Sequence, residues 1–355
     1  MTAKRIFVIN PGSTSTKLAL FEDDTMIWQS GAHHPLSELN RFNSIAEQYP
    51  YRMEFIKKRL ADSDIEIRFD AVIGRGGLTK PLKGGVYRVN DKMIDDLKNA
   101  KDQHACNLGA IMAKQLATEG EGIALTADPV VVDEMDDVAR YTGIPGIKRR
   151  SVFHALNQKA VARRYAQSVG KRYEDLNIIV AHMGGGISIG AHRQGRVADV
   201  NNALNGEGPF STERAGTLPA SDLVDLCMDG NRSKKQIMSM IHGKGGLTAY
   251  LGTNDMITIS RMAEEGEQPA KDVLEAMLYT VAKQIGAMTV TMKGHTDAII
   301  ITGGIAHSSY CMQRMKEWVG WIAPITIIPG ENEILSMAYN ALGALNGQLT
   351  VKEYK

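Results

Sequence analysis

Three cysteines in 355 residues, Cys106, Cys227 and Cys311, are too few and too scattered for a disulfide framework. Without paired spacing they offer no structural zinc site either, and a sparse, odd set suits a reducing compartment. A large excess of one charge is missing as well, since 41 basic residues stand against 40 acidic ones. Nucleic acid and an anionic membrane both favour a basic face, so neither is expected as a partner. The N-terminus enters a strand-like run at once, and no cleavable signal segment is expected. The longest apolar stretch, 273–292, is interrupted by Glu275, Lys283 and Gln284, which favours a buried central helix over a membrane span. A cytoplasmic protein is the resulting expectation.

Two common nucleotide fingerprints are also missing. No G-x-G-x-x-G stands at a strand-to-helix junction, so a dinucleotide fold has no support. The segment Asn10-Pro11-Gly12-Ser13-Thr14-Ser15-Thr16-Lys17 is not a Walker A loop, because the second glycine before the lysine is absent and a strand follows.

What is present is glycine at the ends of short apolar runs. The run 5–9 stops at Asn10-Pro11-Gly12, and strand-like runs at 17–21 and 26–29 continue it as a meander. Helical patterns follow near 36–48, 51–61, 91–101 and 105–118, with strands at 71–73 and 123–126. Near 177 the opening order returns. The run 177–181 ends at His182-Met183-Gly184-Gly185-Gly186, and strand-like 188–192 and 196–200 follow. A helical stretch at 154–168 precedes this second half, strands at 298–302 and 325–328 lie within it, and a last helix covers 332–345. Length alone allows two domains, and the repeated order predicts two related α/β halves with a cleft between them.

The glycine turns suit close approach to a ligand. A turn dense in backbone N–H groups and hydroxyls, such as 10–17, can form an anion nest; a plain hairpin turn with solvated hydroxyls is the alternative. Gly184, Gly185 and Gly186 admit a ligand where any side chain would collide, or form a flexible turn. Gly303 and Gly304 suit either passage under a nucleotide or close helix–strand packing. Arg75 ends an apolar strand between glycines, and Arg214 lies in a Gly-, Ser- and Thr-rich loop, 208–216. A guanidinium pairs carboxylate or phosphate bidentately and stays charged, so these two are the candidate anion clamp. Asp128, Glu331 and Glu333 are the acidic candidates, since magnesium needs only one or two carboxylates beside phosphates and water.

Taken in order, the segments VINPGSTSTKLALF, AVIGRGG, DQHACNLGA, TADPVV, RRSVFHALNQKA, VAHMGGGISIGAH, GPFSTERAGTLP, YLGTND, IIITGGIA and PGENEIL resemble the acetate and butyrate kinase family of the actin-like ATPase superfamily. The likeness runs nearly end to end and is nearer to the butyrate branch, because TADPVVVDEM replaces the acetate branch's FDTAFH-type segment. It implies an α/β fold: a duplicated actin-like ATPase (ribonuclease H-like) fold with two domains around a central cleft. The first domain is expected at 1–175, completed by 332–355, and a nucleotide-binding domain at 176–331. By the same resemblance Asn10 and Glu333 sit near the metal, with Glu331 as the alternative acid. Ser13, Ser15 and Lys17 match the first phosphate loop, and Arg75 and Arg214 the paired arginines. Asp128 matches the catalytic aspartate, His104 and His182 the active-site histidines, and His154 a further, looser one. Gly184–Gly186 and Gly303–Gly304 match the nucleotide-binding segments.

The implied reaction is reversible phosphoryl transfer between ATP and a short carboxylic acid such as butyrate, with Mg2+, giving an acyl phosphate and ADP. A carboxylate is already ionised at neutral pH, so alignment and charge neutralisation matter more than a strong base. Acetate or propionate kinase, and a noncatalytic ATP-binding switch of the same fold, are the alternatives. A homo-oligomer is implied by the resemblance alone.

Overall fold

The computed structural model describes residues 3–101 and 103–355. Asp102, the first residue of the DQHACNLGA segment, lies outside the described residues. Contacts divide the chain into two compact units, Met1–Val132 with Asn332–Lys355, and Asp133–Glu331. Residues 133–175 fall in the second of these units, whereas the sequence reading set its boundary at 175.

The strands among the described residues are β1 (Arg5–Pro11), β2 (Ser15–Glu22), β3 (Thr25–His33), β4 (Ala71–Gly74), β5 (Val86–Arg88), β6 (Ile123–Ala127), β7 (Asn177–Met183), β8 (Ile187–Arg193), β9 (Arg196–Val200), β10 (Ala298–Gly303), β11 (Ile325–Pro329) and β12 (Val351–Glu353). In the first unit they form one sheet in the order β12-β5-β6-β4-β1-β2-β3. The second unit has a sheet in the order β11-β10-β7-β8-β9. Its pairings repeat those of β6-β4-β1-β2-β3. In each set the first hairpin and the next strand pair antiparallel, while the two later strands join in parallel. The duplication inferred from element order is thus present in strand pairing.

β1 and β7 are central strands, and both read as nearly continuous apolar runs because helices cover both faces of a sheet with parallel strands. Helix Asn107–Glu119 packs on β1, β4 and β6 around Phe7, Ile9, Val72, Leu108 and Met112, and helix Glu333–Leu345 packs on the same three strands. In the second unit helix Gln268–Met288 packs on β7 and β8, and helix Ala155–Ser168 on β7 and β10. Leu274, Met277, Leu278, Val281 and Ile285 are fully buried, so the long apolar stretch is a core helix. Among the described residues no helix is long and apolar enough to cross a membrane.

The helical pattern at 36–48 yields only Leu36–Leu39 and a 3-10 turn at Ala46–Gln48. Between them short polar side chains compete with the backbone: Glu47 accepts from the Asn43 amide at 3.0 Å, and Ser44 Oγ from the Glu47 amide at 3.3 Å. The three-residue strands β5 and β12 are too short to leave a periodic signal, and the pairing between them is long-range.

Candidate active site

In open α/β sheets ligands gather outside the carboxyl ends of parallel strands. In the first unit those ends carry Asn10 on β1, Arg75 after β4 and Asp128 after β6. Arg75 reaches Glu333 at 2.8 Å and Asn10 Oδ1 at 3.4 Å, while Asn10 Nδ2 donates to the other Glu333 oxygen at 2.8 Å. Glu333 opens the last helix, so its charge also meets the positive end of the helix dipole. Of the two acids left open by the sequence, Glu333 is the one held beside Asn10.

Glycine sets the position of Arg75. A Cβ on Gly74 would lie 2.1 Å from Gly109 O, and one on Gly109 only 2.4 Å from Arg75 O. The strand end and the helix Asn107–Glu119 therefore touch backbone to backbone. Cys106, just before that helix, forms a 3.0 Å contact with His104 Nδ1, and burial pushes its thiol up to about 11. His104 Nε2 lies 3.3 Å from Ser13 Oγ.

Ser13 is exposed on the turn between β1 and β2, and Ser15 and Lys17 lie on β2 itself, with Lys17 opposite Asn10. The phosphate-loop candidates are thus a hairpin rather than an extended loop. Beneath it Arg52, a residue that no motif singles out, donates to Gly12 O, Ser13 O and Ser15 O at 2.9–3.0 Å. Asp128 is 1 % exposed with φ at +39°, a conformation that Asp tolerates better than most residues. Its carboxylate accepts the Gly85 amide at 2.7 Å, and its own amide donates to Gly85 O at 3.1 Å.

In the second unit the corresponding ends carry His182 on β7, Gly303 closing β10 with Gly304 after it, and Gly330-Glu331 after β11. His182 is 1 % exposed, between Asn157 Oδ1 at 3.0 Å and Glu331 Oε1 at 2.9 Å. The His154 ring stacks on it at 3.7 Å, with 7° between the planes. His154 Nδ1 meets Ser188 Oγ at 2.8 Å, and Gln158 Nε2 donates to the same hydroxyl at 2.8 Å. This places His154 directly against His182, a contact its segment alone did not indicate.

The hairpin Gly184–Gly186 is shaped by its neighbours. A Cβ on Gly186 would fall 1.9 Å from Arg214 Nη1, so only glycine lets the guanidinium lie there. Arg214 donates to Ala203 O, and burial lowers its pKa from the usual guanidinium value. Ser211 fixes the loop, donating to Gly185 O at 2.6 Å and accepting the Arg214 amide at 3.1 Å. Among the described residues no carboxylate pairs with Arg214 within 4 Å, although Glu213 contributes favourable charge. Gly303 is required by the fold, with φ at +91° and Met183 O 2.3 Å from a hypothetical Cβ, whereas Gly304 faces open space.

These strand-end sites lie on a fold shared with solved carboxylate kinases. The chain superposes on acetate kinase from Porphyromonas gingivalis with a TM-score of 0.79 at 19 % identity, covering 96 % of this chain and 99 % of that one. It superposes on a propionate kinase from Francisella tularensis with a TM-score of 0.77 at 20 % identity, covering 95 % and 98 %. The fold class is the duplicated actin-like ATPase fold expected from sequence. A family model described as "Acetokinase family" matches residues 139–319. A protein from Phocaeicola vulgatus named "Probable butyrate kinase" is 60 % identical over 351 residues, covering 99 % of both chains. "Butyrate kinase 2" of Clostridium acetobutylicum is 50 % identical over 353 residues, again covering 99 % of both. The chain belongs to the acetokinase family.

Proposed function

We propose that this chain transfers the γ-phosphoryl group of ATP to a short carboxylic acid, butyrate first among them, and runs the reaction in reverse to form ATP. Arg214 carries the reading at the site. It is a half-buried cation with no ion-paired carboxylate among the described residues, and its guanidinium lies in the space that the missing side chain of Gly186 leaves. Such a charge suits a transferring phosphoryl group, whose oxygens carry more charge than any neutral ligand offers. Identity of 49–60 % with relatives named butyrate kinases supports the acceptor.

In this scheme Arg214 and His182 hold the phosphoryl oxygens, and His154 keeps the His182 ring in plane by stacking. Arg75 orients the carboxylate acceptor and is itself fixed by Glu333 and Asn10. Asp128, locked to the Gly85 amide, presents a fixed negative charge that orients a nearby donor. Ser13, Ser15 and Lys17 receive nucleotide phosphates, and Gly304, which faces open space, leaves room for the nucleotide beside the backbone of Gly303 and Gly184–Gly186. Asn10 Oδ1 and the Glu333 carboxylate are hard oxygen donors. They fit Mg2+, which takes one or two protein oxygens and completes its shell with phosphates and water. Mg2+ held there would neutralise phosphate charge. The second unit is accordingly proposed as the nucleotide-binding domain, and the protein as a cytoplasmic homo-oligomer.

Hydroxylamine trapping with ATP, Mg2+ and a panel of carboxylates tests the reading, because only an acyl phosphate yields a hydroxamate. Butyrate should give the largest kcat/KM. Arg214→Ala should lower kcat on the order of 10²–10³-fold while the protein stays folded. A folded Arg214→Ala protein with wild-type turnover would remove that residue from the scheme.

A further inference from the structure

The cation beneath the β1–β2 turn is not accounted for by the scheme above. Arg52 is 0 % exposed. Its guanidinium donates to Gly12 O, Ser13 O, Ser15 O and Thr16 Oγ1 at 2.9–3.0 Å, and to Gln48 Oε1 at 3.1–3.2 Å. Every acceptor is neutral, and among the described residues no carboxylate pairs with it within 4 Å. The neighbouring groups add no counter-charge. Thr16 Oγ1 passes on to His34 Nε2 at 2.8 Å, and His34 Nδ1 meets the Tyr51 hydroxyl at 3.3 Å. A buried charge is ordinarily paired, because desolvation penalises a lone one heavily. On the other side of the turn, the amides of Ser13 and Thr14 donate to no protein acceptor among the described residues.

We propose that Arg52 is a positioning residue for nucleotide phosphate. It pins the carbonyls of the β1–β2 turn inward, which keeps the turn's amides available, and a bound phosphate supplies the negative charge that the protein withholds from Arg52. The inference rests on the phosphoryl-transfer reading of this turn and adds the group that makes the turn an anion site. The guanidinium acts through the turn and through its field, without touching the reacting atoms.

Gln48 provides the decisive variant. Its Oε1 already accepts two Arg52 donors, so Gln48→Glu places a carboxylate of the same shape where the missing counter-charge would be. Thermal unfolding without ligand, together with calorimetric titration of MgADP and of pyrophosphate, reads the result. Gln48→Glu is expected to melt at or above the wild-type temperature and to bind both probes about tenfold more weakly, with KM for butyrate changed by less than about twofold. Arg52→Lys, which keeps the charge but cannot span the carbonyls, should also lose MgADP affinity. A purely structural arginine predicts unchanged affinity in a folded Gln48→Glu protein, and that result overturns the proposal. Lower ligand-free stability of Gln48→Glu overturns it too, since Arg52 would then not lack a counter-charge. Hydroxamate formation by the wild type is scored separately. If it fails while Gln48→Glu still weakens MgADP binding, the acceptor is wrong and the role of Arg52 stands.

Discussion

His34 is 1 % exposed, and burial, then the Arg52 charge, hold its pKa at about 4 instead of 6.5. Above pH 6.5 the ring is neutral whether the chain is folded or not, and the site adds no pH dependence. As pH falls from 6.5 toward 4 the unfolded chain binds a proton that the folded chain refuses, so stability is lost across that window. The loss is on the order of 3 kcal/mol from this one ring. Denaturant titrations at pH 7 and pH 4.5 should therefore show a smaller drop for His34→Gln than for the wild type. Cys106 behaves oppositely: its thiol, pushed up to about 11, should resist alkylation at pH 8 in the folded protein. At this scale the sequence marked Arg75, Arg214 and Glu333 because each adjoins a glycine turn or a helix start. Arg52 carries no such mark, since nothing local distinguishes YPYRMEF from a solvated helix face.

Strand ends and glycines decide what the elements can do. Gly74→Ala would drive a Cβ into the Gly109 carbonyl at 2.1 Å, and backbone cannot yield as a side chain can. It should cost at least about 1–3 kcal/mol in chemical denaturation and shift Arg75 with it. Gly186→Ala differs in kind. Its Cβ meets the tip of the Arg214 side chain, which can swing away, so the fold should lose under about 1 kcal/mol. Turnover should nevertheless fall about 10²-fold, because the guanidinium leaves the hairpin. Comparing melting temperature with kcat for the two variants separates the roles. The central strands were legible from apolar runs bounded by turns. The helix pattern at 36–48 misled because the Ser44 and Glu47 side chains accept from nearby backbone amides, and β5 and β12 escaped because three residues carry no period.

Across the whole molecule, the first unit is not contiguous in sequence. Residues 332–355 supply the helix on β1 and β4, the edge strand β12 and the carboxylate of Glu333. A chain ending at Glu331 should keep a protease-resistant 133–331 unit and lose protection throughout 3–132, a result limited proteolysis with mass spectrometry would read. The strand order repeats between the sheets, and so does the placement of the candidate residues. Asn10, Arg75 and Asp128 end β1, β4 and β6, and His182, Gly304 and Glu331 stand at the equivalent ends of β7, β10 and β11.

The amino-acid sequence by itself determined where the strands stop, which turns need glycine, and that two halves share one order of elements. Those are local properties, set by side-chain period and by the steric freedom of one residue. Tertiary structure alone decided that the Glu333 carboxylate bonds both Asn10 and Arg75. It also decided that His154 stacks on His182, and that a buried Arg52 lies under the first turn. Each depends on bringing distant segments into register, and the energy that does so comes from burying whole sheet faces, which no short stretch of sequence records.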